Sequence, residues 1–255
     1  MNLALPNDGL DAYHSKSQRA RVATEQWGAD SLFCMNCDSP TITRSRHGTP
    51  VIDYVCPRCE APFQLKSQSK PLAARIVDAA YSAMKRAIDL DQTPNLFVMH
   101  YEPGEWLVRN LLLIPKFAFS LAALEKRKPL ASTARRAGWV GCNIVLANIP
   151  PDARISIITE GRSRSPRAVR EQYKKLRPLA KLQVGQRGWT LDTLNAIRSF
   201  GTNEFTLSEA YSLEPALAAL HPDNHHVREK IRQQLQVLRD LGLLEFLGDG
   251  NYRLR

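Results

Sequence analysis

The chain has 255 residues, 44% of them hydrophobic and 24% charged, with a formal net charge of +10. That length suits two modest domains, and that balance excludes a largely disordered chain. No apolar run approaches the roughly 20 residues that span a bilayer, and the opening MNLALPNDGLDAYH lacks a basic region followed by an apolar stretch, so an intracellular protein is expected.

The excess of Lys and Arg favours a polyanionic partner, because cations laid on a phosphate backbone release its condensed counterions. An anionic membrane would satisfy the same charge, but no basic amphipathic helix with an aromatic-rich apolar face accompanies it. Nucleic acid is the better reading.

In chain order, residues 13–27 have helical character, with Ala20, Ala23 and Trp27 spaced for one face. From 33 to 63 the text is short apolar pieces broken by Cys, Asn, Gly and Pro, as expected for hairpins organised by a metal. Residues 71–90 predict a helix, with Pro71 suited to its first turn and Ile76, Ala80, Met84 and Ile88 recurring on one side. Strands are predicted over 96–101, 105–114 and 155–159, giving a mixed α/β core. The basic tract 161–178, GRSRSPRAVREQYKKLRP, reads either as a solvated helix with a linker or as a DNA-facing surface. A domain boundary is expected at 180–185.

Beyond it three helices and a hairpin follow. Residues 189–200 carry Leu191, Leu194 and Ile197 at helical spacing, and 207–220 begins behind Thr206 or Ser208 as a cap. The third, 225–241, has Val227, Ile231, Leu235, Leu238 and Leu241 along its inner face, and Gly248-Asp249-Gly250 turns two short strands. This is the pattern of a winged helix-turn-helix, whose third helix enters the major groove while its wing lies on the backbone or minor groove.

Four of the five cysteines fall in two Cys-x-x-Cys pairs, Cys34/Cys37 and Cys56/Cys59, separated by residues 38–55. That spacing is that of a tetrahedral four-thiolate Zn2+ site. With every position taken by sulfur no water can be activated, so the zinc is expected to be structural. Cys142, between Gly141 and Asn143, reads as a packing residue.

Threaded through the second pair are Asp53, Gln64 and Lys66. On a strand, Gln64 and Lys66 share a face, leaving Phe63 and Leu65 to the core, and Asp53 lies on a neighbouring strand, 51–55, held close by the metal. A carboxylate, an amide oxygen and a lysine placed so could hold a hard cation and stabilise an anion during phosphodiester hydrolysis. An ordinary surface strand would carry the same residues.

The run of Cys34, Cys37, Asp53, Cys56, Cys59 and Leu65-Lys66 resembles DpnI-type restriction endonucleases, members of the nuclease superfamily whose signature is Asp followed by Asp/Glu-x-Lys. So do RKPLASTARRAGWVGCNI, residues 127–144, and EKIRQQLQVLRD, residues 229–240. The resemblance covers nearly the whole chain. It implies a restriction-endonuclease-like mixed sheet flanked by helices, with an inserted four-cysteine zinc site, over 1–180, and a winged helix over 181–255. It further implies a Mg2+-dependent type II endonuclease, monomeric and in the cytoplasm of a bacterium or archaeon. Such an enzyme cuts double-stranded DNA at GATC when the adenine is N6-methylated, both domains sensing the methylated site.

Asp53 and the Leu65 carbonyl would hold the metal, and Lys66 would be the catalytic lysine. Gln64 departs from the family's acidic residue. Its carbonyl can still ligate, but without a charge it predicts weaker Mg2+ binding, with Mn2+ as a compensating ion. Trp139 is assigned to the methyl-adenine pocket, since an indole face covers an added methyl at little polar cost, and Arg135 and Arg136 beside it suit phosphate or guanine. A core tryptophan is the alternative. On the third winged-helix helix His225, Arg228, Arg232, Gln233, Gln236 and Arg239 form the outer face, with Arg228 and Arg232 the expected DNA contacts. Two rival functions remain open: a methylated-DNA binding protein that does not cut, and a transcriptional regulator.

Overall fold

The computed structural model describes residues 1–46 and 51–255; positions 47–50 of the predicted hairpin tract lie outside the described residues. Helix α1 (Lys16–Ser31) precedes the strands β1 (Thr43–Arg44), β2 (Tyr54–Val55) and β3 (Pro62–Gln68). Strand β4 (Arg75–Ala80) runs straight into α2 (Tyr81–Asp89). Then come β5 (Asn95–Glu102), β6 (Leu107–Ile114), β7 (Leu124–Lys126), β8 (Gly141–Val145), β9 (Ile155–Thr159) and β10 (Arg162–Ser163). Helices α3 (Pro166–Leu176) and α4 (Val184–Arg198) lead to β11 (Glu204–Thr206), α5 (Leu207–Ser212), α6 (Glu214–Leu220), α7 (Val227–Asp240), β12 (Leu244–Gly248) and β13 (Asn251–Leu254). These elements gather into two compact units, one of residues 1–73, 94–116 and 153–174, the other of 74–93, 117–152 and 175–255.

The first unit is a seven-stranded mixed sheet in the order β1-β2-β3-β5-β6-β9-β10. Among the described residues its one parallel pair is β3 with β5, in register from Phe63 opposite Asn95 to Gln68 opposite His100. Every residue of β5 from Asn95 to Tyr101 is buried, the continuous apolar signature of a strand covered on both faces. Ala20, Ala23, Thr24 and Trp27 form the buried face of α1, and the Trp27 indole donates to the Asn2 carbonyl at 2.9 Å. Within the basic tract, α3 buries Val169 and Tyr173, and the Tyr173 hydroxyl donates to Asn95 Oδ1 at 3.0 Å. The tract is therefore an amphipathic helix packed on one side, with Arg167 and Lys174 left in solvent.

The second unit holds a small antiparallel sheet, β4-β8-β7, and the winged helix. In the latter, Leu191, Leu194 and Ile197 of α4 and Val227, Ile231, Leu235 and Leu238 of α7 are buried, as their spacing predicts. The wing turns at Asp249-Gly250, both with positive φ (49° and 76°), the backbone that a two-residue hairpin loop requires. Strand β11 pairs with β13 to make the wing sheet three-stranded.

Several expectations need correction. The predicted helix 71–90 is a helix only from Tyr81; residues 75–80 are β4, paired with β8 from Arg75 opposite Val145. Ile76, Met84 and Ile88 are buried as predicted, but a spacing of four keeps residues on one face of a strand as well as of a helix, so it could not tell the two apart. Tertiary pairing decided. The predicted helix 207–220 breaks at Leu213 into α5 and α6, because Pro215 cannot donate within a continuous helix. The helix expected from 189 begins at Val184, ahead of Gly185 and Gly188. The strand expected over 51–55 shrinks to Tyr54–Val55, since Val51 has φ 66°. The strand expected from 105 starts at Leu107, after a turn in which Trp106 has φ 56°.

Candidate active site and metal centre

The four sulfurs of Cys34, Cys37, Cys56 and Cys59 lie within 4.8 Å of one another. The Cys34–Cys59 and Cys37–Cys56 separations are 3.6 and 3.5 Å, close to the tetrahedral edge of about 3.8 Å that Zn–S bonds of about 2.3 Å imply. Each knuckle is a tight turn. Cys34 N–H donates to the Ser39 carbonyl at 3.2 Å, and Cys56 N–H to Ala61 at 3.0 Å. Ser39 and Arg58 N–H point at the sulfurs of Cys37 and Cys56 (3.5 and 3.4 Å), and Asn36 Nδ2 at Cys59 (3.4 Å). Burial pushes the Cys34 thiol up. Burial also opposes the Cys56 thiolate, but the N–H groups of Cys59 and Arg58 and the adjacent thiols outweigh it and pull it down to about 6. The cluster can thus hold a structural metal such as zinc. Cys142, expected to be packing, is fully buried with its sulfur 3.4 Å from the Ala79 carbonyl.

Helix α3 braces this cluster. Arg170 donates from Nε to the Cys34 carbonyl at 2.9 Å and from Nη2 to the Ser39 carbonyl at 2.8 Å, with its guanidinium 5.2 Å from the Phe33 ring centroid.

From the second knuckle the chain enters β3, antiparallel to β2 with Tyr54 opposite Phe63. Asp53 sits one residue before β2, yet its N–H continues the ladder to Phe63 O at 2.9 Å, which puts it across from Gln64. One carboxylate oxygen of Asp53 accepts from Leu65 N–H at 2.7 Å. Burial raises the Asp53 carboxyl, the Leu65 N–H lowers it, Glu25 raises it, and Lys66 and Arg21 lower it. Asp53, Gln64, Leu65 and Lys66 are therefore brought together. Two expectations about facing change. Leu65 is half-buried, and Gln64, expected outward with Lys66, is only 7% exposed. β3 lies between β2 and β5 in the sheet, and along it Phe63 and Gln64 are both buried while Leu65 and Lys66 are half-buried, so burial does not follow the simple alternation.

In the second unit, Arg135, Arg136 and Trp139 sit on the loop between β7 and β8. Trp139 is half-buried, neither a core residue nor fully free. The Arg136 guanidinium lies 4.7 Å from its ring centroid. Its ring rests on Gly141, where an added Cβ would come within 2.8 Å of it. On α7, His225 just before the helix and Arg228, Arg232, Gln233 and Gln236 on it are exposed. Four of these, with Glu229 and Tyr211, line a shallow groove of about 430 Å³, and Arg228 stacks over Tyr211 at 4.3 Å. Tyr211, on the broken second helix, was not singled out by the sequence, nor were Glu25 and Arg21 beside Asp53. Among the described residues no helix is long and apolar enough to cross a membrane.

A mixed sheet with a four-sulfur knuckle, followed by a winged helix, defines a DNA-acting protein. The chain belongs to the DpnI, or Dam-replacing, family: the family profile matches residues 1–182, and that of the Dam-replacing helix-turn-helix domain matches 185–254. The family is one of restriction endonucleases, and membership supports a nuclease with a DNA-binding helix-turn-helix domain.

Proposed function

We propose that this protein is a type II endonuclease that hydrolyses double-stranded DNA at GATC sites carrying N6-methyladenine. The division of labour is a nuclease domain over 1–180, stapled by structural Zn2+, and a winged-helix reader over 181–255. The observation that carries the reading is the placing of Asp53, just before β2, against Gln64, Leu65 and Lys66 of β3 in a chain of this family.

The donor set fits a hard divalent cation. Asp53 offers a carboxylate, Gln64 a side-chain amide oxygen, and Leu65 a backbone carbonyl. Bound Mg2+, or Mn2+, supplies an activated water and offsets negative charge on the phosphate. Leu65 N–H fixes the orientation of the Asp53 carboxylate, and Lys66 places positive charge where the phosphate's oxygens become more negative. Trp139 covers the adenine methyl with an apolar ring face, flanked by Arg135 and Arg136. Arg228 and Arg232 hold DNA, with His225, Gln233 and Gln236 beside them for base or phosphate. The enzyme acts as a monomer, in the cytoplasm where its substrate is.

Gln64 favours one other reading, a protein that binds methylated DNA without cutting it. Incubation with Dam-methylated and unmethylated plasmid in Mg2+ or Mn2+ separates them. Methyl-dependent fragments are expected. Retention of methylated plasmid without fragments would leave only the reader, and binding indifferent to methylation would point to a transcriptional regulator.

A further inference from the structure

The two faces of the wing sheet differ in chemistry. On one face Glu204, Arg253 and Glu245 stand opposite one another across β11, β13 and β12. Arg253 pairs with Glu204 at 2.9 Å and lies 3.9 Å from Glu245, while Arg255, just past β13, reaches Glu245 at 3.5 Å. With Asp249 at the turn, the carboxylates outnumber these guanidiniums, so the face offers a phosphate backbone little attraction. The other face, one register position along, carries a row of rings. Phe205, Tyr252 and Phe246 lie opposite one another on the same three strands, with centroids 5.6 and 5.2 Å apart. The row starts at the buried Phe205, passes the half-buried Tyr252 and ends at Phe246, which is 47% exposed on the edge strand β12. Beyond Phe246 the register skips to Gly248 opposite Asn251, a bulge that leaves Leu247 unpaired and 39% exposed. Bulges re-aim side chains.

Phe246 and Leu247 fall inside the match to the family's helix-turn-helix domain, residues 185–254, so this apolar edge belongs to the same DNA-binding domain as the groove of α7. A phenyl ring offers base edges no hydrogen bond, and its gain comes from leaving water. The apolar surface of a duplex is the faces of its stacked bases, which a side chain reaches by opening a step from the minor groove. A ring braced by two others gives up little freedom on insertion. We propose that Phe246, with Leu247 beside it, is a wedge that the wing sets into the minor groove, opening a base step and bending the duplex. The wing then binds by burial, and α7 by charge and hydrogen bonds. This deepens the reading of 181–255 as the DNA reader and rests on it.

The test uses the zinc-loaded full chain, without added Mg2+ or Mn2+, and a methylated GATC duplex labelled at both ends. Fluorescence anisotropy at several salt concentrations gives the affinity and its salt slope, and energy transfer between the ends gives the bend. Phe246→Ala is expected to weaken binding about tenfold, to leave the salt slope unchanged and to straighten the duplex. Phe246→Leu, still apolar, should keep most of the affinity and the bend. Leu247→Ser lies outside the aromatic row, so it tests the wedge without disturbing the rings, and it should cost a smaller part of each. Unchanged melting curves will show the variants folded. Wild-type affinity and bend in Phe246→Ala would overturn the proposal, as would a loss accompanied by a flattened slope, which marks a phosphate contact instead. A duplex that the wild type binds but does not bend removes the wedge and leaves the reader. A wild type that binds no duplex removes both.

Discussion

Among the described residues between 33 and 68 the chain has two strands of two residues each, β1 and β2, and a longer one, β3, tied by two knuckles that bring four sulfurs within 4.8 Å. Between residues 184 and 254 it has helices with complete apolar stripes, in which Leu191, Leu194 and Ile197 of α4 and Ile231, Leu235 and Leu238 of α7 are all buried. Strands so short cannot close a core alone, whereas two amphipathic helices can. The first stretch gathers four thiols that could hold a structural metal, and the second is held by removing carbon from water. Asp53, Gln64, Leu65 and Lys66 lie within the first stretch, where short pieces of chain can be fixed at angles that regular packing would not give.

The largest expected effect breaks this comparison at its metal. Cys56 is the thiol whose surroundings most favour the thiolate. Cys56→Ser, or removal of the metal by a chelator, should cost several kcal/mol, within the scale of about 10 kcal/mol or more by which structural zinc stabilises small sites. Hydrogen exchange resolved by segment is the measurement. Amides of 33–68 should lose protection, while those of 184–254 keep theirs. Unchanged protection around the knuckles would mean that the sulfurs hold no structural ion.

The same contrast explains what could be read from the sequence. The cysteine spacing anticipates a four-sulfur ligand set, and the four sulfurs do gather; the ladder between the knuckles sets Asp53 across from Gln64, one residue before β2. The stripe of α7 was legible because a period of 3.6 sustained from Val227 to Leu238 has one interpretation. Residues 75–80 were not, because the spacing of Ile76 and Ala80 suits a strand equally and only the partner β8 decides. Gln64 was misplaced because alternation says which residues share a face, not how deeply each is buried. Glu25 and Tyr211 were invisible for a further reason. Each owes its place to a fold contact, Tyr54 for one and Arg228 for the other, and no local pattern encodes it.

A smaller effect sharpens the comparison on the helical side. Arg232 is exposed on α7, in the groove shared with Arg228, Gln233 and Gln236. Its loss removes no core contact. Arg232→Ala should leave the melting temperature unchanged, weaken DNA binding by about 1–3 kcal/mol if it reads a base, and reduce the salt slope by about 1 if it holds phosphate. Titration of methylated duplex at several salt concentrations distinguishes the two. Unaltered affinity and slope would remove this helix face from the DNA contact.

The smallest effect concerns how the helical region ends its helices without an ion. At the start of α5, Glu209 N–H donates to Thr206 Oγ1 at 3.1 Å while the Glu209 carboxylate accepts from Thr206 N–H at 2.7 Å, a reciprocal capping box. Thr206→Ala should cost about 1 kcal/mol, confined to the winged helix. The Thr206 backbone N–H, and then its hydroxyl, hold the Glu209 carboxyl below its usual range. A carboxyl lowered by folding stabilises the fold above its unfolded value, near about pH 4.3. That contribution fades as pH falls through the lower folded value. The wild type should therefore be the more stable partner of Glu209→Gln at pH 6, and the gap should close on acidification. Protonation of the knuckle thiolates affects both proteins alike and cancels in the difference. A gap that stays constant from pH 6 to pH 3 would show that the cap works through neutral hydrogen bonds alone.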